Sequence, residues 1–373
     1  MNGAVKLGTI LGIRIQVHWS FVLIIGWVLL TSLAGGQNLV GAITSVAFVL
    51  VLFGCVVLHE LGHALAARMY GIPTRDITLL PIGGVARLER MPRKPSQELV
   101  VALAGPAVNV IIAGVLLAVL LPFYGVEGLI ATATPTSGFL TQLLVVNVAL
   151  VVFNLLPAFP MDGGRVLRAL LAMFLNYASA TRIAATVGQV FAFGFALLGF
   201  VNPFMFLIAA FIFFGAAAEA QSVQMREGLD GVLVRDAMLR QFRAVPAYAR
   251  IRDVAMNLLD SSQQDYPVVV NGKPSGMLRR DDIIRSLSEG VDATVADLMR
   301  VESSVEENES LIDILDKVAS ENAETIAVTL SGNLVGLLDT RQMFAVLRAR
   351  QSMKAFQQDL PKQAAPDPEP SWC

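Results

Sequence analysis

Six apolar stretches crowd the part of this chain before Glu219, near Val17 to Leu33, Gly41 to Ala67, Leu99 to Leu121, Phe139 to Leu156, Ile183 to Phe200 and Pro203 to Ala218. A helix of about 20 apolar residues crosses the roughly 30 Å hydrocarbon core of a bilayer. In lipid every backbone polar group needs an internal partner, which leaves helices as the fold for such stretches. Hydrophobic residues make up 55% of the 373 and charged residues 16%, and the mean hydropathy is +0.62. That excess is concentrated before Glu219; beyond it polar and apolar residues alternate, as in a soluble domain. The expected architecture is a membrane α-helical part, six transmembrane helices with a small β-hairpin, followed by a soluble α/β module.

Lysine and arginine orient the spans, because they are retained on the cytoplasmic side. Lys6 and Arg14 precede the first stretch. Arg68, Arg75, Arg87, Arg90, Arg93 and Lys94 fall between the second and third, and Arg165, Arg168 and Arg182 between the fourth and fifth. The opposite connections, Gly35 to Asn38, Pro122 to Gly138 and Val201 to Asn202, hold no Lys or Arg. A multi-pass protein of the cell (inner) membrane with both termini cytoplasmic satisfies every loop. The segment before the first stretch lacks a small-residue cleavage site, so that stretch is expected to be retained. Cys55, in a span, and Cys373, at the extreme end, offer no disulfide framework and no cysteine-based zinc site. A net charge of -2 without a basic cluster argues against nucleic-acid binding.

Within the second stretch lies His59-Glu60-Leu61-Gly62-His63. Residues four apart share a helix face, so the two imidazoles can converge on one metal, while the adjacent Glu60 stands where a general base for water belongs. Ionisable groups inside a membrane are costly and mark function. The chain has only three histidines, so two of them at ligand spacing favour a metal site over histidines that merely bond neighbouring helices. By the charge distribution, this run lies toward the cytoplasmic end of its span.

A hydrolytic zinc site takes three protein ligands and leaves one position open. Asp162 is the candidate third ligand. It stands in Asn154-Leu155-Leu156-Pro157-Ala158-Phe159-Pro160-Met161-Asp162-Gly163-Gly164-Arg165, where two prolines break the fourth stretch and two glycines permit close backbone approach. Asp before Gly-Gly also suits a helix cap. His18 is the rival ligand, although its place before Trp19 is an ordinary interfacial setting. Asn154 could hydrogen-bond a substrate carbonyl or cap backbone groups freed by Pro157.

His59 to His63 on the second stretch, Ala104-Gly105-Pro106-Ala107-Val108-Asn109 on the third and the Asn154 to Arg165 run together resemble the site-2 protease family of intramembrane zinc metalloproteases. The likeness covers the whole membrane part. It implies that His59, His63 and Asp162 hold one Zn2+ per chain, that Glu60 is the catalytic acid/base, and that Asn154 and Pro157 shape the substrate site. Asn109, Gly105 and Pro106 are family marks whose expected role is packing of the third span. Met161 stands where many relatives have Leu.

Between the second and third stretches, residues 76–80 and 85–89 flank Gly83-Gly84 and are expected to form a hairpin beside the site. Such a hairpin could pair with an unwound substrate segment by strand addition, or simply plug the site from the cytoplasm.

From Gly231 to about Arg350 the chain repeats itself. Val234-Arg235-Asp236-Ala237-Met238 is echoed by Val295-Ala296-Asp297-Leu298-Met299. Each copy continues with an expected helix (Ile251 to Leu259; Ser310 to Ala319), two strands (Tyr266 to Val270 and Gly276 to Leu278; Ala323 to Thr329 and Gly336 to Leu338) and a closing helix (Asp281 to Leu287; Arg341 to Leu347). This resembles a tandem pair of CBS domains, which often bind adenine nucleotides between the copies. Ligand-binding members carry Ser or Thr and, three residues on, an acid after the second strand. The first copy has Arg279 and Asp282, of which Asp282 could hold a ribose; the second has Asp339 and Gln342. Nucleotide sensing therefore stands beside plain dimerisation or substrate docking.

The expected domains are a protease domain at 1–220, a linker at 221–231, CBS domains at 232–290 and 291–350, and a disordered Pro-rich tail at 351–373. The leading function is hydrolysis of a peptide bond in or near a transmembrane segment of a membrane protein, as in regulated intramembrane proteolysis, with lipid and a transmembrane substrate as partners and a homodimer through the CBS pair as a further one. A CBS-regulated metal or ion transporter is the alternative; it has no need of Glu60 as a base.

Overall fold

The computed structural model describes residues 3–81, 83–88, 92, 94–131, 138–259, 263–301, 303–314, 324–339, 341, 343, 345–346, 348–349 and 352. Two compact units emerge, Met1–Val223 and Gln224–Cys373.

The first unit opens with two strands that sequence reasoning did not anticipate, β1 (Ala4–Ile10) and β2 (Ile13–His18). The expected start of the first span at Val17 is corrected: Val17 and His18 close β2, and helix α1 (Phe21–Ala34) begins after them. Ile13 and Ile15, two apart on one face of β2, bury themselves against Leu61, Ala64 and Ile77. This period-two pattern is hard to see beside the long apolar run that follows. Helix α2 (Leu39–Met69) comes next, then β3 (Thr74–Leu80) and β4 (Gly83–Leu88). The four strands form one sheet in the order β1-β2-β3-β4, with β2 and β3 parallel and the other pairs antiparallel. The expected hairpin is thus the outer half of a larger sheet, with β4 at its edge. Gly83 and Gly84 belong to β4, paired with Leu80 and Leu79, rather than to the turn; Glu89 lies outside the described residues.

Five helices complete the unit: α3 (Pro95–Ala131, interrupted at Gly125 where φ is 62°), α4 (Phe139–Asn154), α5 (Asp162–Ala172), α6 (Tyr177–Leu198) and α7 (Phe204–Gly228). Among the described residues four helices are long and apolar enough to cross a membrane: α2, α3 as far as Leu129, α6 and α7. Helices α1 and α4 are apolar but have 14 and 16 residues, about 21 and 24 Å. The chain ahead of α1 is spent on β2, and α4 stops before Pro157. Two further positions differ from expectation. Helix α7 continues past Glu219 to Gly228, so the expected linker is helical over most of its length. Arg168, counted among the cytoplasmic charges between the fourth and fifth stretches, is wholly buried on α5.

The second unit contains the expected repeat. One copy runs α8 (Val234–Ala237), β5 (Val245–Pro246), α9 (Ile251–Leu259), β6 (Asp265–Val270), β7 (Lys273–Arg279) and α10 (Arg280–Ser288). The other runs α11 (Val295–Leu298), β8 (Ser304–Glu306), β9 (Thr325–Leu330) and β10 (Asn333–Asp339). Each has a three-stranded sheet, β5-β6-β7 and β8-β9-β10, whose first pair is parallel and second antiparallel. The copies exchange backbone bonds reciprocally: Leu239 after α8 pairs with Leu337 of β10, and Arg300 after α11 pairs with Met277 of β7. The helix expected at Ser310 to Ala319 is described only as far as Ile314. Gln342, the tail beyond 352 and much of the last closing helix lie outside the described residues.

Candidate metal centre

His59 and His63 lie one turn apart on α2, and both are buried. Asp162 is the first residue of α5 and is buried as well. Asp162 Oδ2 lies 3.2 Å from His59 Nε2 and 3.1 Å from His63 Nε2, and the two nitrogens are 3.1 Å apart. Two ligand atoms bound tetrahedrally to zinc at about 2.0–2.1 Å are roughly 3.3 Å apart, so this triangle has nearly the dimensions of three corners of a zinc site. Among the described residues it is the one such cluster of histidine, cysteine or acidic side chains.

The surroundings decide which ring atoms carry protons. Asn147 Nδ2 donates to the carbonyl of Leu143 at 2.8 Å, which leaves Asn147 Oδ1 to accept from Asn109 Nδ2 at 2.9 Å. Asn109 Oδ1 therefore faces His59 Nδ1, at 2.5 Å, as an acceptor. His63 Nδ1 lies 2.7 Å from another acceptor, the Val101 carbonyl. Both rings thus hold a proton on Nδ1, which leaves each Nε2 facing the carboxylate as the atom available to a metal. With Nε2 unprotonated, three donor atoms this close would repel one another unless a cation lay among them. The donor set, two neutral imidazoles and one carboxylate, is that of a hydrolytic zinc centre, and its residues fit the ion.

Close approach of α3 completes the centre. A side chain at Gly105 would meet His63 Nε2 and would stand 2.7 Å from His59 Nε2. Gly105 and Asn109, whose expected role is packing of the third span, therefore bear on His59 and His63 directly. Asn147 and Val101 were not anticipated at all. A signal for Asn147 was present, since an amide in the middle of an apolar span must find a partner. Arg165 Nη1 lies 3.7 Å from the other carboxylate oxygen, Asp162 Oδ1.

Glu60, next to His59, reaches the edge strand instead: the backbone N–H of Ala86 on β4 donates to its Oε2 at 3.1 Å. His18 is not part of the cluster; its Nδ1 lies 2.6 Å from the Ser20 hydroxyl. Asn154 ends α4 and Pro157 follows in the irregular segment before Asp162, both half-buried.

In the second unit Asp282 is already engaged. Arg300 Nη2 of the other copy donates to its Oδ2 at 3.3 Å, and Arg285 Nη1 lies 3.7 Å from Oδ1. A ribose would have to compete with both.

The chain matches Peptidase family M50 over residues 47–198 and the CBS domain over residues 234–289. Zinc metalloprotease MJ0392 of Methanocaldococcus jannaschii is 33% identical over 361 residues, covering 95% of this chain and 100% of that one. A second relative, sll0528 of Synechocystis sp., is 31% identical over 376 residues, 93% of this chain and 96% of its own. Among solved structures, the site-2 protease from Methanocaldococcus jannaschii is 37% identical with a TM-score of 0.44, covering 58% of this chain and 95% of that one.

Proposed function

This chain belongs to Peptidase family M50, the site-2 proteases, and from that premise we propose that it cuts a peptide bond in or near a transmembrane segment of a membrane protein, with Glu60 as general base. It is a multi-pass membrane protein and a zinc metallopeptidase with a CBS module. The observation that carries the reading is the triangle of His59 Nε2, His63 Nε2 and Asp162 Oδ2, three metal-ligating atoms buried together among apolar helices.

Zinc bound there supplies a Lewis acid that acidifies water and polarises a carbonyl. Glu60 takes a proton from the attacking water onto its carboxylate and returns it to the departing amine nitrogen. Asn154 hydrogen-bonds the substrate backbone, and Pro157 keeps the chain beside it irregular so that substrate can lie there. The edge of β4 receives an unwound substrate segment, since peptide groups released from a helix in lipid need new partners at once. Ala86 offers its edge N–H to Glu60, so substrate pairing at that position would exchange one acceptor for another.

The distribution of Lys and Arg supports an inner-membrane orientation with both termini and the CBS pair cytoplasmic. The CBS pair serves regulation or dimerisation. Asp282, held by Arg300 and Arg285, favours those roles over adenine-nucleotide binding.

Detergent-purified wild type and Glu60→Gln, incubated with single-span substrates while zinc is measured, test the reading. Zinc in both with cleavage by wild type alone, suppressed by a chelator, is the expected result. No zinc in either overturns the metal centre; zinc in both and metal transport retained by Glu60→Gln, without cleavage by wild type, favours a carrier.

A further inference from the structure

Arg168 is a buried charge with no part in the chemistry so far. Its side chain is 1% exposed, on α5, the helix that begins with Asp162. Nε donates to Glu98 Oε1 at 2.8 Å, and Nη2 makes an ion-pair contact of 2.5 Å with the same oxygen. Nη1 donates to Glu219 Oε1 at 2.5 Å. The guanidinium lies against two rings, 5.0 Å from the centroid of Phe159 and 4.9 Å from that of Tyr177. One side chain thereby ties together α3, α5, α6, α7 and the irregular segment before Asp162.

Stability alone is a poor reason for such a cluster. The desolvation of buried ions consumes most of their mutual attraction, and apolar replacements of similar volume are often as stable. Its geometry points to the metal centre. Along α5, Arg168 stands about one and two-thirds turns from Asp162. Along α3, Glu98 stands about one turn before Val101, whose carbonyl holds His63, and two turns before Gly105, which faces both ligand nitrogens. The Arg168–Glu98 pair therefore connects the helix that carries the third ligand to the helix that orients the other two. The Glu219 arm adds α7 to the same clamp.

We propose that Arg168 is a positioning residue for Asp162. By its fork to Glu98 and Glu219 it fixes the depth of α5 against α3 and α7, so that Asp162 Oδ2 stays on the corner facing His59 and His63. A shift of α5 by even 1 Å would take the carboxylate out of coordination range, because zinc–oxygen bonds tolerate only about 0.2 Å. Lysine keeps the charge but not the planar fork, so it cannot serve two carboxylates in one geometry.

The proposal rests on the ligand set read above, and metal binding tests the two separately. Metal-free full-length protein in detergent is titrated with Co2+, read by its visible spectrum, and with Zn2+ against a chromophoric chelator. Wild type should give the intense bands of a four-coordinate site; if it binds neither ion, the ligand reading itself fails. Arg168→Lys and Glu98→Gln should lose about tenfold to a hundredfold in metal affinity, as for other groups that orient ligands, with weakened cobalt bands and a lower kcat at unchanged KM. Phe21→Ala, which removes the Phe21–Phe53 edge contact elsewhere in the unit, should lower thermal stability while keeping wild-type affinity and spectrum. Wild-type affinity and spectrum in Arg168→Lys, or an equal loss in Phe21→Ala, would overturn the proposal. Should the two buried variants fail to fold, Glu219→Gln decides, since that carboxylate is 31% exposed: a loss of tenfold or more supports the clamp, and no loss overturns it.

Discussion

Replacing Asn109 by Leu or by Asp separates two jobs that one buried amide performs. Asn109 and Asn147 are both fully buried. Asn109→Leu keeps the approximate shape but removes the acceptor for His59 Nδ1–H and the donor to Asn147 Oδ1. Each buried polar group left without a partner costs about 1–3 kcal/mol, hence roughly 2–6 kcal/mol of fold stability in all. For the metal, loss of the group orienting a ligating histidine costs about tenfold to a hundredfold in affinity, or about 1.4–2.7 kcal/mol. Zinc sites can hold their ion by about 10–16 kcal/mol, so the variant would still purify with zinc and only competition can read the change. Asn109→Asp differs in sign for one job. Its carboxylate is a stronger acceptor for His59 Nδ1–H, so zinc affinity should equal or exceed that of wild type, while Asn147 Oδ1 loses its donor and stability falls. The assay is chelator competition for zinc beside thermal unfolding of the metal-free protein, both in detergent. Wild-type zinc affinity in Asn109→Leu, or an equal loss in Asn109→Asp, would refute the claim that an acceptor at Nδ1 sets the ligand.

Gly105→Ala should abolish zinc retention and cleavage together, because the added carbon meets the ligand nitrogens, whereas Gly114→Ala on the same helix opens onto free space and should leave zinc content unchanged; metal analysis of both proteins checks the pair. Proline placed singly along β4 should reduce cleavage of a transmembrane substrate, and unaffected rates at every position would remove strand addition from the mechanism. In the second unit, the Thr294 hydroxyl and backbone N–H donate to Asp297 and hold its carboxyl below the usual aspartate value. A folded value below the unfolded one of about 3.9 means that the stabilisation is complete above that pH and is lost as pH falls through the folded value. Melting of the CBS unit in the full chain should therefore steepen its decline on acidification in wild type relative to Asp297→Asn, and identical pH profiles would contradict the cap.

Much of the centre was legible because its chemistry is local. His59 and His63 share a face by helical period alone, and their cost in lipid marks them without reference to any neighbour. The repeat beginning at Val234 and Val295 was equally open to view, since each copy repeats the same short motif and the same pair of strands; the short first strands β5 and β8 were not read from the sequence. Asp162 was reached as the candidate third ligand through the prolines and glycines around it, which announce a break in a span.

What stayed hidden depended on partners distant in the chain. Asn109 and Asn147 are ordinary amides until α3 and α4 bring them into one line ending at His59, and a backbone carbonyl such as that of Val101 has no signature at all. Arg168 looks like a loop cation because charge says nothing of burial; only the meeting of α3, α5 and α7 supplies Glu98 and Glu219 to neutralise it. Strand β2 was lost in the shadow of the apolar run after it, since pairing with β3, not composition, makes it a strand. The sequence by itself determined which atoms can bind the metal and that they lie within a membrane part; tertiary structure alone decided their protonation, their orientation and what holds them at one depth, because hydrogen bonds and ion pairs between helices are set by packing and not by spacing along the chain.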